Sequence, residues 1–320
     1  MLFADDAALA AHSEEALQRL ITCFADACTE FGLTISLRKT NIMAQNVRTA
    51  PEIVIGDHTL DVVDRFTYLG SIISSDLSLD ADLNSRIGKA STAMSRLTKR
   101  VWENKMLTTN TKIKVYQACV LSILLYGSET WTLYEYQVRR LHSFHMRCLR
   151  RLLGITWQDR ETNTTVLTRA GIPSMFAILT QRRLRWLGHV CRMDDGRIPK
   201  DILYSELATG SRATGRPNLR YKDACKRDLR ACGINPHDLE MTTSDRTNWR
   251  STVKNGVRQA EERREAHWGR KRTLRRQRLQ SAPVATAHNN DYICMKCQRT
   301  CGSRIGLYSH NRRCNSSTNP

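Results

Sequence analysis

Long apolar runs are missing from this 320-residue chain. The longest, ACVLSILLY at 118–126, is about half of the ~20 residues a membrane-spanning helix needs, so no transmembrane helix is expected. No basic stretch leads into an apolar core at the start either. Asp5 and Asp6 interrupt it, so a secretory signal is not expected. Acidic residues are in short supply. Against 50 Lys and Arg there are 31 Asp and Glu, which leaves a formal charge of +19 and a pI near 9.8. An excess of clustered cations draws polyanions, because each phosphate contact releases condensed counterions. The expected partner is therefore DNA and/or RNA rather than a membrane, and the expected setting is nuclear or cytoplasmic. Disulfides are rare in such a setting, so the eleven cysteines are not expected to pair with one another.

Seven cysteines (Cys23, Cys28, Cys119, Cys148, Cys191, Cys225 and Cys232) are scattered, most of them within apolar helical patterns, and read as core thiols. The other four crowd into 294–314. The length suits two or three domains with at least one real core. LFADD reads as a strand and turn. In the segment SEEALQRLITCFADACTEFG, Ser13 is a candidate N-cap, apolar residues recur at helical spacing, and Gly32 stands at the end as a C′ residue. LTISL (33–37) alternates like a strand, and 51–73 offers two or three short strands with a Gly-Asp turn. Helices are predicted over 82–102, 109–126 and 133–153. Helix-like segments and basic loops follow over about 160–240, with GRPN read as a loop. Residues 245–278 hold twelve Lys or Arg against four Asp or Glu and read as a charged helix or a disordered arm. SAPVATAHNND (281–291) has linker composition. The fold class is α+β, mostly α.

The segment YICMKCQRTCGSRIGLYSHNRRC (292–314) carries the most specific signal. Cys294 and Cys297 are two residues apart, twelve residues lead to His310, and three more to Cys314. Zinc takes four N or S donors in a tetrahedron, and this spacing supplies them. A two-residue gap lets one turn present both thiolates. A three-residue gap puts His310 and Cys314 on one helical face. Tyr292, Cys301 and Leu307 fall on the three small-core positions of a C2H2-type ββα zinc finger, which the segment closely resembles. Cys301 stands where an aromatic is usual, and Cys314 replaces the second histidine. By that frame the base-facing positions are Ser303, Gly306 and Ser309. None has the bidentate fork that reads bases, whereas Arg304, Arg312 and Arg313 suit phosphates. The expectation is a structural Zn²⁺ and a non-specific grip on nucleic acid; a protein-binding finger is the other reading.

Phe3-Ala4-Asp5-Asp6, then a helix, then GLTISLRKTNIM and DRFTYLGSIIS, form an ordered set. It resembles the palm of reverse transcriptases from non-LTR (LINE-type) retrotransposons. LYGSETWTL (125–133), RCLRRLLGITWQDR (147–160), RLRWLGHVCRM (183–193) and GRP (215–217) resemble the thumb and post-thumb region of the same elements. The resemblance implies a partial palm at 1–78, thumb-like helices at 79–156, a post-thumb helical region at 157–244, a basic arm and linker at 245–291, and the finger at 292–314. It makes Asp5 and Asp6 the remnant Mg²⁺ ligands, gives Lys39 a palm role, and places Phe66, Tyr68, Leu69 and Gly70 near the primer grip. Polymerisation needs a further carboxylate from an earlier palm strand and a nucleotide pocket, which in the family lie upstream of FADD. Mg²⁺ is thus expected only if the palm is completed. The expected function is a zinc-binding, nucleic-acid-binding fragment without autonomous polymerase activity. An RNA-directed DNA polymerase whose N-terminal half is missing, and a domesticated zinc-finger DNA-binding or interaction protein, are the alternatives.

Other cations cluster in the middle of the chain. Arg86, Lys89, Arg96, Lys99 and Arg100 share one helical stretch; Arg139, Arg140, Arg147, Arg150 and Arg151 share another, and both are expected to track phosphates. Arg270, Lys271, Arg272, Arg275, Arg276 and Arg278 do the same in the arm. Trp102, Trp131, Trp157, Trp186 and Trp249 read mainly as core, and Trp268, among charges, as exposed. His142, His145 and His189 lie near Cys148 and Cys191 in sequence, but their spacings match no known zinc pattern.

Overall fold

A computed structural model describes residues 2–45, 47, 49–205, 215, 219–281, 292–312 and 314. The side chains of 279–281 are not described, and Arg313, the linker at 282–291 and Arg216-Pro217 of the GRP motif lie outside the described residues. The chain divides into two compact units, 1–263 and 264–320.

The first unit opens with a small α/β segment. β1 (Leu2–Phe3) and β2 (Asp6–Ala7) form a hairpin around Ala4-Asp5. α1 (Glu14–Glu30) begins where Ser13 Oγ accepts from Ala16 N and ends before Gly32, whose φ of +67° suits a residue without a Cβ. LTISL does not become a strand. Residues 33–36 are irregular and Leu37–Lys39 form a 3-10 turn, since among the described residues no neighbouring strand offers them a ladder. β3 (Asn41–Ile42) pairs in parallel with β6 (Asp61–Val62), and β4 (Val54–Ile55) forms a hairpin with β5 (His58–Thr59) across Gly56-Asp57. The Gln18 carboxamide closes the free edge of β4, accepting from Val54 N and donating to Val54 O at 2.9 Å each. Ile21, Ile42, Ile53 and Leu60 make the small core here. β7 (Arg65–Tyr68) and β8 (Ser71–Ser74) form a longer hairpin. Its two-residue turn is Leu69-Gly70, both at positive φ (47° and 78°), the geometry that matches strand twist.

Helices then dominate. α2 (Asp80–Arg96) passes into a π-helical stretch at Thr98–Trp102. α3 (Thr109–Val115) continues through another, Tyr116–Leu121, into α4 (Ser122–Leu124). That wider winding helps turn Tyr116, Val120, Leu121 and Leu124 inward together. α5 (Glu135–Leu153), α6 (Asn163–Ala170) and α7 (Met175–Cys191) follow, and α5 and α6 each stop at a left-handed glycine, Gly154 and Gly171. One continuous core runs from Leu83 to Leu179 through these helices. α8 (Ile198–Tyr204), α9 (Tyr221–Ala231), α10 (Leu239–Ser244) and α11 (Arg246–Ser281) complete the helical part. A second core joins Leu184 and Leu187 of α7, Cys225 and Leu229 of α9, and Trp249, Val253 and Val257 of α11. The segment read as a basic arm from 245 therefore begins as core.

Several sequence expectations change here. Arg86 leaves the phosphate track. It is 5% exposed, donates to Gly70 O (2.8 Å) and Ser71 Oγ (2.9 Å), and pairs with Asp82, whose Oδ1 accepts from Ile72 N. This buried pair fastens the β7–β8 hairpin to α2. Lys89, Arg96, Lys99 and Arg100 stay exposed. Trp157 is 84% exposed rather than core, because Gly154 ends α5 and the chain turns outward at 156–160. Trp102, Trp131 and Trp249 are buried, Trp186 is half-buried and Trp268 is exposed. Cys28, Cys148, Cys225 and Cys232 are buried thiols and Cys191 is half-buried, but Cys23 and Cys119 face solvent. No helix among the described residues is long and apolar enough to cross a membrane.

In the second unit, β9 (Tyr292–Ile293) pairs antiparallel with β10 (Thr300–Cys301), and α12 (Arg304–Asn311) follows.

Candidate metal centre

Each piece of the 292–314 segment has a local cause. The chain reverses between β9 and β10 over Met295–Arg299. Gln298 N donates to Cys294 O (2.8 Å) and Cys294 N to Arg299 O (3.0 Å), with Gln298 in the left-handed region at φ +61°. Ser303 Oγ accepts from Gly306 N at 3.1 Å and starts α12. Gly306 leaves room there: a Cβ would lie 3.2 Å from that hydroxyl. Tyr292, paired in register with Cys301, and Leu307 are half-buried, which makes a thin core; Ile305, Tyr308 and Met295 remain exposed.

The ligand atoms of Cys294, Cys297, His310 and Cys314 all lie within 4.8 Å of one another. Cys294 Sγ and Cys314 Sγ are 3.8 Å apart, and Cys297 Sγ is 3.0 Å from His310 Nε2. A tetrahedron with zinc–sulfur bonds near 2.3 Å has sulfur–sulfur edges of about 3.8 Å, so the donor set and its spacing fit a zinc ion. Burial pushes the Cys294 thiol up, but the N–H groups of Cys297 and Lys296 and the thiols of Cys297 and Cys314 outweigh it, and its pKa falls to about 6. Cys314 moves the other way, to about 11, through its contact with the Cys297 thiol, burial and the neighbouring Cys294. Those donors favour the thiolate form of Cys294, and thiolate is the form that binds metal. Those two N–H donors, aimed at one sulfur, were not legible from ligand spacing. They come from the tight turn that Gln298 closes in a conformation usually left to glycine.

The other predicted residues are placed as follows. Asp5 and Asp6 are exposed on the β1–β2 hairpin, and Lys39 is exposed at the end of the 3-10 turn. Among the described residues, Cys294, Cys297, His310 and Cys314 are the one His/Cys/Asp/Glu group placed to share a metal ion, and no third carboxylate joins Asp5 and Asp6. His142, His145 and His189 make no second centre. His145 is fully buried, with Nδ1 2.8 Å from Tyr116 Oη, and burial together with the nearby His142 holds its pKa down at about 4. Arg270, Lys271, Arg272, Arg275, Arg276 and Arg278 are exposed on α11, with the Lys271 ammonium 5.2 Å from the centre of the Trp268 ring. Arg304 and Arg312 are exposed on and just after α12, and so is Ser309; Ser303 is occupied as the cap.

No protein-family model and no solved structure matches the chain. A Caenorhabditis elegans protein named as transposon-derived is 28% identical to it over 240 residues, covering 71% of this chain and 84% of that protein. The chain is thus similar, over most of its length, to a protein named for its origin in a mobile element.

Proposed function

We propose that this chain is a zinc-binding, nucleic-acid-binding fragment of a retrotransposon reverse transcriptase, with no polymerase activity of its own. The convergence of three thiols and one imidazole on a hairpin-and-helix unit carries the reading. Thiolates and imidazole select zinc over magnesium or calcium, which favour oxygen donors. The similarity to a transposon-derived protein supports the origin. Exposed cations on α11 and α12 support the partner, because they are free to approach a phosphate backbone. Zinc here is structural: four protein ligands leave no open position for a substrate. The residues hold the hairpin against α12, and Arg304 and Arg312 would meet phosphates beside it.

Metal analysis of the purified chain together with fluorescence anisotropy on labelled DNA and RNA across a salt series tests this. One zinc per chain and a log affinity that falls linearly with log salt are expected. Metal-free protein that still holds an ordered 292–314 segment refutes the zinc centre, and salt-independent or absent binding refutes the partner. A primer-extension assay with Mg²⁺ should give no product, since Asp5 and Asp6 lie without a third carboxylate among the described residues. Template copying by the chain alone would instead establish the polymerase reading.

A further inference from the structure

A cavity of about 230 Å³ opens between α7 and the first turns of α11, lined by Arg185, His189, Arg192, Arg246, Trp249 and Arg250. We propose that it is a phosphate-binding site, taking a phosphate group of a nucleic-acid backbone. This deepens the nucleic-acid reading above and rests on it for the source of the phosphate.

The site is assembled from two stretches remote in sequence. On α7, positions 185, 189 and 192 recur at i, i+4 and i+7 and so share one face. On α11, positions 246, 249 and 250 face them. Gly188 lets the two helices meet: a Cβ at that position would lie 2.0 Å from Trp249 Nε1. The buried indole fills this space and donates Nε1–H to Leu184 O at 3.0 Å, fixing the floor of the cavity. Arg192 is held in place by its own donation to Thr243 O at 2.8 Å.

Four guanidinium groups around one cavity repel one another, and among the described residues no carboxylate lines it. Asp245, the nearest acidic residue in sequence, directs Oδ1 to the N–H groups of Thr247 and Asn248 at the start of α11. Among the described residues, no ion pair engages Arg185, Arg246 or Arg250, whereas the neighbouring Arg183 is paired with Asp228 and Arg182 with Glu129. The unpaired forks present several N–H donors from opposite walls, which is the arrangement that a tetrahedral oxyanion satisfies. An apolar or cationic ligand would leave those charges uncompensated.

The test uses the full chain with its metal, and a triple variant Arg185→Gln, Arg246→Gln, Arg250→Gln. These three side chains are exposed, so the fold should hold, which near-ultraviolet circular dichroism checks through Trp249. A control triple, Arg19→Gln, Lys114→Gln, Lys226→Gln, removes the same charge at exposed positions away from α11 and α12. Labelled single-stranded RNA and duplex DNA are titrated by anisotropy, with inorganic pyrophosphate as competitor and as a thermal-shift ligand. The pocket variant should lower the salt slope by about two to three and weaken binding at least tenfold at moderate salt. Pyrophosphate should raise the melting temperature of the parent and of the control triple but not of the pocket variant. If both triples lose affinity equally and pyrophosphate acts alike on all three proteins, the pocket has no site character and the proposal falls. If the parent binds neither RNA nor DNA, the nucleic-acid reading fails. A pyrophosphate shift confined to proteins with the intact pocket would then assign it to a free phosphate compound.

Discussion

Residues 292–314 and residues 2–78 are both built from short strands and a single helix, and each carries candidate metal ligands. In the first, four donors gather within 4.8 Å; in the second, Asp5 and Asp6 stay exposed at a hairpin while the small core lies elsewhere, at Ile21, Ile42, Ile53 and Leu60. The difference is one of range. The C-terminal site needs only a turn, a register of two strands and one helical turn, all encoded within 23 residues. A two-carboxylate magnesium site needs strands brought from separate parts of a chain into near-octahedral geometry. Among the described residues, the two-residue strands at 2–3 and 6–7 pair only with each other. Local spacing can complete the first kind of centre and cannot complete the second.

The largest expected effect separates the two regions by metal. Chelation should abolish protection of backbone amides over 292–312 in hydrogen exchange and leave residues 80–260 protected. Zinc supplies on the order of 10 kcal/mol to the folding of units this small, whereas the larger unit rests on apolar burial. Equal protection with and without chelator would erase the contrast. Next, Leu149→Ala, in the continuous helical core, should cost about 2–5 kcal/mol in denaturant unfolding with zinc content unchanged. Loss of zinc in that variant would show that the two regions are energetically linked.

A third expectation concerns pH. The His145 pKa is held at about 4 in the folded protein, below its ordinary 6.5, chiefly by burial. The unfolded state therefore binds the proton first. Stability contributed by the neutral ring is complete above about pH 6.5 and drains as pH falls toward 4, by about 3 kcal/mol. His145→Gln should flatten that part of the stability–pH curve, and an unchanged curve would place the acid sensitivity elsewhere. The smallest effect should come from Asp5→Asn with Asp6→Asn. Both side chains are exposed, so stability should move by less than about 0.5 kcal/mol, and Mg²⁺ should produce no binding heat in either form.

Legibility followed the same division. α1 was readable to its caps, since Ser13 and Gly32 act through neighbours three or four residues away. The finger ligands were readable for the same reason. LTISL alternated as a strand would, yet alternation reports a preference and a ladder needs a partner, which residues 33–36 lack. Arg86 looked like one more cation on a basic helix. Its burial depends on Gly70, Ser71 and Asp82 meeting it, and of these only Asp82, one helical turn away, stands at a spacing that foretells contact. Trp157 shared the composition of its buried counterparts and differed only in following a helix-ending glycine.

The amino-acid sequence alone determined the helical character of the chain, its excess of cations, and the identity and spacing of the four soft donors, because helical period and ligand spacing act over a few residues. The tertiary structure alone decided which cations are available. It buried Arg86 and Arg183 against carboxylates and left Arg185, Arg246 and Arg250 around one cavity with no ion pair among the described residues. The reason is that an arginine's role depends on what the fold brings to it, and Gly188 and Trp249 bring α11 to α7 across about sixty residues of intervening chain.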